Sequence, residues 1–227
     1  MTTEDNGLVA VVKRDCPTCE LVEPALKRLR DAGALVAVYS QDDPDFPETI
    51  DGVRDDRSLE RSFRLDVEFV PTLIRIQDGK ESGRVFGWNR EEWEGFTGIQ
   101  GIGEGLPENQ PGCGSRSVEP GVAERLQARY GEVPFQSRKV EFSDWDDVVE
   151  QAFDRGWTDG LPIVPPTDER ILRMLGGTDR APDEIVGIMP PDMKECTVEK
   201  IAINAVMAGA RPEYMPVILA TIEAALE

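Results

Sequence analysis

Cys16-Pro17-Thr18-Cys19 combines residue types and spacing that allow chemistry more plainly than any other stretch of this chain. Two cysteines one helical turn apart can close a disulfide, and a thiolate at a helix start sits among unpaired backbone N–H groups that favour negative charge. A lowered Cys16 pKa is expected, with Lys13 and Arg14 adding positive charge nearby. Pro17 falls where a helix tolerates proline best, because the missing N–H has no intrahelical partner there. The chain contains no histidine, which excludes Ser-His and Cys-His catalysis and any histidine metal ligand within it.

The other two cysteines are further candidates. Cys113, in Gly112-Cys113-Gly114-Ser115-Arg116, reads either as an accessible thiol of lowered pKa beside Arg116 or as a free cysteine in a loop. Cys196 precedes a helix start and reads as a buried, inert thiol. A metal site at CPTC would have to recruit both of them into a four-cysteine cage, so no metal is expected. Asp159 and Glu199 could act as acids or bases, but acidic residues are so abundant that solvated surface is the expectation; Trp145 and Trp157 are expected in a core.

The elements around CPTC follow from hydrophobic periodicity. The run Leu8 to Val12 predicts a buried strand, and Val22, Ala25, Leu26 and Leu29 predict the apolar face of a helix that Gly33 ends and Pro24 kinks. Leu35 to Tyr39 predicts a second strand, followed by an acidic, proline-broken loop from Asp42 to Asp51 and a helix from Arg57 to Phe63. One strand is expected over Phe69 to Ile76, with Pro71 near its start, then a turn at Asp78-Gly79, a strand from Gly83 to Trp88 and a helix from Arg90 to Phe96.

Over its first hundred residues the chain resembles the thioredoxin superfamily: CPTC follows the first strand, and Val70-Pro71-Thr72 precedes the hairpin. The resemblance implies that Cys16 attacks a disulfide, that Cys19 resolves the mixed disulfide, and that Pro71 is a cis-proline packed against them. It also implies a substrate groove formed by Pro17, Thr18, Val70 and Thr72. The sequence departs from thioredoxins proper, which carry WCGPC, in being closer to the glutaredoxin type, and Ala10 stands where thioredoxins place a buried acid. With both cysteines retained, a redox dithiol is the reading carried forward over a metal site or a purely structural role.

From Gly98 to Gly112 the sequence reads as a Gly-rich connector; its G-x-G-x-G lacks the flanking strand and helix of a dinucleotide loop, and no cofactor is expected. Beyond it, helices are expected near Pro120 to Tyr130, Ser143 to Arg155, Asp168 to Leu175 with Thr167 as N-cap, Thr197 to Gly209, and from Pro212 onward. This half resembles bacterial thioredoxin-domain proteins of the UGSC type, named for a selenocysteine-Gly-Ser-Cys motif. The match rests on Pro111 to Ser117, Asp159 to Thr167 and Thr197 to Ala220; Cys113-Gly114-Ser115-Arg116 lacks the motif's terminal cysteine.

The expected fold is therefore α/β: a thioredoxin-like βαβ-αββα domain over 1–98, a Gly-rich connector with the Cys113 turn and a helix over 99–134, and a mostly helical region over 135–227. The net charge of -19 argues against nucleic acid or an anionic membrane as partner, and the polar N-terminal MTTEDNG predicts a cytoplasmic protein. The expected substrate is a disulfide-bearing protein, a small thiol compound or another oxidised sulfur or selenium centre. The alternative is a subunit or fragment of a larger UGSC-type assembly in which the thioredoxin unit docks to or services a partner polypeptide, with self-association or a partner chain expected through the C-terminal helices. A final expectation places Cys113 within reach of CPTC.

Overall fold

The computed structural model describes residues 6–133, 135–143 and 147–227. The chain divides into two units, Met1–Leu126 and Gln127–Glu227.

The first unit runs β1 (Gly7–Val12), α1 (Pro17–Asp31), β2 (Leu35–Ser40), β3 (Arg54–Asp55), α2 (Glu60–Arg64), β4 (Phe69–Val70), β5 (Thr72–Gln77), β6 (Lys80–Phe86), β7 (Trp88–Asn89), α3 (Arg90–Thr97), β8 (Asn109–Gln110) and β9 (Cys113–Gly114). Its main sheet has the order β3-β2-β1-β5-β6. β1 and β2 pair in parallel, as do β2 and β3, whereas β1–β5 and β5–β6 are antiparallel. The architecture is mixed α/β. β1 reads as an unbroken apolar run because Leu8 to Val12 are all buried, which is the pattern of a strand covered on both faces.

Helix α1 lays Val22, Ala25, Leu26 and Leu29, all 0% exposed, into the core. Val22, Leu26 and Leu29 each contribute roughly 1.5–3 kcal/mol by burial. The helix continues through Pro24 as one element to Asp31, and Gly33 leaves it at φ 72. The single strand expected over 69–76 is divided at Pro71: that residue has no N–H to give a ladder, so β5 joins the main sheet and the two-residue β4 pairs elsewhere. Asp78 (φ 52) and Gly79 (φ 73) both occupy the left-handed region that a two-residue hairpin turn requires, so β6 begins directly after them rather than at Gly83. α2 begins at Glu60 rather than Arg57, where the Asp56 carboxylate accepts the N–H groups of Arg61 and Ser62.

The stretch expected to be a connector belongs to the first unit. Ile102 is 1% exposed in its core, the Arg28 guanidinium donates to the carbonyls of Gly101, Ile102 and Glu104, and Trp88 Nε1 donates to Pro107 O at 2.8 Å. Turn-rich backbone can lie against a domain when its carbonyls are satisfied in this way. β8 pairs with β7, and the unit extends to 126 rather than 98.

Helix α4 (Val122–Tyr130) spans the division between the units. The second unit then runs α5 (Val148–Asp154), α6 (Asp168–Leu175), β10 (Ile185–Met189), β11 (Lys194–Thr197), α7 (Val198–Met207) and α8 (Met215–Leu226). Ile171, Met174, Val198, Ala202, Met215 and Leu219 fill its core. Sequence reading missed the antiparallel β10–β11 hairpin, although Ile185 to Met189 followed by Pro190-Pro191-Asp192 is an apolar run ended by a turn signal. α5 starts at Val148, capped by Asp147, instead of Ser143. Thr197 caps α7 through Lys200 N at 3.3 Å, whereas Thr167 holds the N-cap position of α6 without a side-chain bond.

Two further expectations change. Trp157 is 37% exposed, its ring over the Arg155 guanidinium rather than in a core; Trp145 lies outside the described residues. Glu199 is 2% exposed rather than solvated, because its carboxylate accepts the backbone N–H groups of Gln136 and Ser137 at 3.0 and 2.9 Å. Asp159 is exposed. Among the described residues no helix is long and apolar enough to cross a membrane.

Candidate thiol site

The loop from β1 to α1 is held from below by one carboxylate. Asp42 accepts the N–H groups of Arg14 and Asp15 at 2.8 and 3.1 Å, which fixes the approach to Cys16. Arg14 turns its guanidinium to Asp43 and Glu48, so its charge is neutralised there instead of supporting the thiol.

Cys16 is the N-cap of α1. Its extended backbone (φ -151, ψ 109) aims Sγ at the first turn, where it accepts Cys19 N–H at 3.4 Å, and Pro17 opens the helix. Cys19 Sγ in turn accepts Lys13 N–H at 3.5 Å. All four cysteines are free thiols. The Cys16 pKa is lowered to about 5, first by the hydrogen bond from the Cys19 thiol, against the opposing effect of burial, and further by the Cys113 thiol and the N–H groups of Cys19 and Thr18. Cys19 moves the other way: burial pushes its pKa up, and the adjacent Cys16 thiolate pushes it further. The two shifts in opposite directions favour a thiolate at Cys16 beside a protonated Cys19.

The Val70–Pro71 peptide is cis, and both residues are buried. Val70 O lies 3.6 Å from Cys16 Sγ and accepts from the thiol when Cys16 is protonated. Pro71 O accepts Gly87 N–H at 2.8 Å, and Thr72 Oγ1 donates to Phe69 O at 2.6 Å. Pro17 is exposed beside this edge and Thr18 is buried, its hydroxyl donating to Pro111 O at 2.6 Å.

That last bond ties the CPTC turn to the Cys113 segment. β9 pairs antiparallel with β4, setting Cys113 opposite Val70 and Gly114 opposite Phe69. The approach is close enough that a Cβ on Gly112 would stand 2.8 Å from Val70 O. Beyond β9, Ser115 N–H donates to Glu68 O, and the buried Gln41 side chain donates to both Ser115 Oγ (2.7 Å) and Ser62 Oγ (2.8 Å) while accepting Arg116 N–H (3.0 Å). The structure therefore brings Cys113 to CPTC: it faces Val70, whose carbonyl lies 3.6 Å from Cys16 Sγ.

Its titration differs from expectation. Cys113 is half-buried rather than freely accessible, and its pKa is raised, first by burial and then by the Cys16 thiolate. The charge that eases its ionisation is that of Lys13, joined by the Thr18 N–H; Arg116 is exposed and exerts no such influence.

Sequence reading missed Gln41, Ser62 and Asp42. No local pattern marks Gln41, which works only because two distant segments, at Ser62 and at Ser115-Arg116, meet at its side chain. Cys196 lies in β11 within the core of the second unit, 8% exposed. Among the described residues no group of three or more His, Cys, Asp or Glu is arranged to hold a metal ion. A cleft of about 440 Å³ lined by Asn6, Leu8, Arg75 and Asp78 lies at the other end of β1 from the thiols.

Comparison of the chain with protein-family models, with curated proteins and with solved structures finds no match.

Proposed function

We propose that the chain is a thiol-disulfide oxidoreductase of thioredoxin-like type, working in a reducing, cytoplasmic compartment on a disulfide-bearing protein, a small disulfide or another oxidised sulfur or selenium centre. The observation that carries this reading is the Cys16 thiol capping α1, with a pKa lowered to about 5 beside a protonated Cys19. The sheet order β3-β2-β1-β5-β6 and the cis Val70–Pro71 peptide next to Cys16 support the thioredoxin-like assignment. The Cys16 thiolate attacks an oxidised sulfur, displacing its partner; Cys19 then attacks Cys16, closing the Cys16–Cys19 disulfide and releasing the second thiol. Pro17, Thr18, Val70, Pro71 and Thr72 shape the surface around the exchange.

The test is direct. Reduced protein treated with a small disulfide should gain a Cys16–Cys19 disulfide by peptide mass mapping, and dithiothreitol should reverse it. Thiols that neither bridge nor exchange would end the reading.

A second proposal concerns partners: the exposed apolar residues Val217 (69%) and Tyr214 (53%) favour self-association or a partner chain at the C-terminal helices. Concentration-dependent sedimentation, with loss of association in Val217→Glu, checks it.

A further inference from the structure

Exposure and hydrogen bonding order the three thiols of the first unit. Cys19 is 0% exposed and Cys16 1%, while Cys113 is only half-buried. Cys16 Sγ accepts the Cys19 N–H at 3.4 Å on one side and on the other lies 3.6 Å from the carbonyl of Val70, the residue that Cys113 faces across the β4–β9 pair. The segment that carries Cys113 is fastened on both sides, by Thr18 to Pro111 O before it and by Gln41 to Ser115 after it, with the β4–β9 pairing between. An external disulfide reaching Cys16 would have to lift β9 away. One reaching Cys113 would not.

We infer that Cys113 is the thiol that reacts with external disulfides, and that Cys16 acts on the sulfur of Cys113 through a Cys16–Cys113 disulfide. This rests on the dithiol reading of Cys16 and Cys19 and names the sulfur on which that dithiol works.

The steps balance. Cys113, as thiolate, attacks one sulfur of a small disulfide RSSR, its proton passing to water; Cys113–S–S–R forms and RS⁻ leaves. The Cys16 thiolate attacks the Cys113 sulfur, the bond to R breaks, and a second RS⁻ leaves. Bonding to Cys113 removes the Cys16 charge, and with it a cause of the raised Cys19 pKa, so Cys19 ionises more readily. Cys19 then attacks the Cys16 sulfur, closing Cys16–Cys19 and expelling the Cys113 thiolate, which takes up the proton Cys19 gave. Lys13 and the Thr18 N–H favour that leaving thiolate. Two electrons have passed from Cys16 and Cys19 to RSSR; the two RS⁻ take up the proton Cys113 released and one more from solvent, giving two RSH, and an external dithiol resets the pair.

The experiment uses the full chain, pre-reduced, with neutral 2-hydroxyethyl disulfide as probe, acid quench and peptide mass mapping. Cys19→Ser should accumulate a Cys16–Cys113 disulfide, and Cys16→Ser should hold the hydroxyethylthio adduct on Cys113. Cys113→Ser and Cys113→Ala should both close Cys16–Cys19 slower than wild type by on the order of tenfold or more, because direct access then needs local opening of β9. Near-ultraviolet circular dichroism establishes that each variant is folded, and the wild-type order of labelling, Cys113 before Cys16, stands without any variant. An adduct on Cys16 with Cys113 free in Cys19→Ser, or wild-type closure rates in folded Cys113 variants, would overturn the inference. Absence of any Cys16–Cys19 disulfide in wild type treated with diamide would instead refute the dithiol reading beneath it.

Discussion

Cys16 owes its charge to donors that only a helix start and two neighbouring thiols supply together. A pKa lowered to about 5 leaves it almost wholly thiolate at neutral pH, and protonation on acidification should remove its reactivity. Iodoacetamide labelling of Cys16 should therefore be level above roughly pH 6 and fall with a midpoint near the lowered pKa, while labelling of Cys113 and Cys19, whose pKa values are raised, should keep rising on the alkaline side. Cys19→Ala and Cys113→Ala, which remove the thiol donors, should each raise the midpoint, the former more, because the Cys19 thiol is its largest support. Glu199 shows the same logic in the second unit. Burial alone would raise its pKa, but the Ser137 hydroxyl and the N–H groups of Gln136 and Ser137 outweigh it and pull it below its ordinary 4.5. A lowered folded pKa means that this contribution is present above 4.5 and is lost as the pH falls through the folded value. Glu199→Gln should cost about 1–3 kcal/mol at pH 7, since one of the two buried N–H groups faces an amide NH₂, and should flatten the acid side of the melting-temperature profile.

At the scale of elements, β9 is a two-residue strand whose position depends on the absence of a side chain. Gly112→Ala would set a Cβ 2.8 Å from Val70 O and 3.2 Å from Gly87 Cα, both backbone, so neither neighbour can swing aside. The substitution should destabilise the protein by about 1–3 kcal/mol, as overpacking does, and should speed the labelling of Cys16 by displacing β9. Denaturant titration and timed alkylation read the two effects separately. Unchanged labelling in a destabilised protein would show that β9 does not govern access to Cys16. Helix α1 has no such sensitivity, because its place is set by the apolar face of Val22, Ala25, Leu26 and Leu29.

Across the whole molecule the charge of -19 bears on which oxidants can approach. The field disfavours anions and is screened over about 10 Å at 0.1 M salt. Oxidation of the thiols by a dianionic aromatic disulfide should therefore accelerate as salt is raised, while a neutral dipyridyl disulfide should react at a nearly constant rate. Stopped-flow absorbance measures both. The second unit leaves Val217, Tyr214 and, on β10, Ile185 and Ile188 exposed, which is where association through that unit would draw its apolar area.

The CPTC dithiol, the order of the first strands and helices, the α/β class and the isolation of Cys196 were legible in the sequence, because each rests on local spacing: one helical turn between cysteines, apolar runs, a glycine or proline at an element's end. Only the tertiary structure decided that the Gly-rich stretch is part of the first unit, since its carbonyls are satisfied by Arg28, a residue some seventy positions earlier. The β10–β11 hairpin was written locally and passed over. The state of Cys113 was decided by long-range pairing. Its glycine-flanked setting suggested exposure and its neighbour Arg116 suggested a lowered pKa, but β4, Thr18 and Gln41 bury it against a thiolate, and burial beside negative charge raises a thiol's pKa whatever its sequence neighbours are.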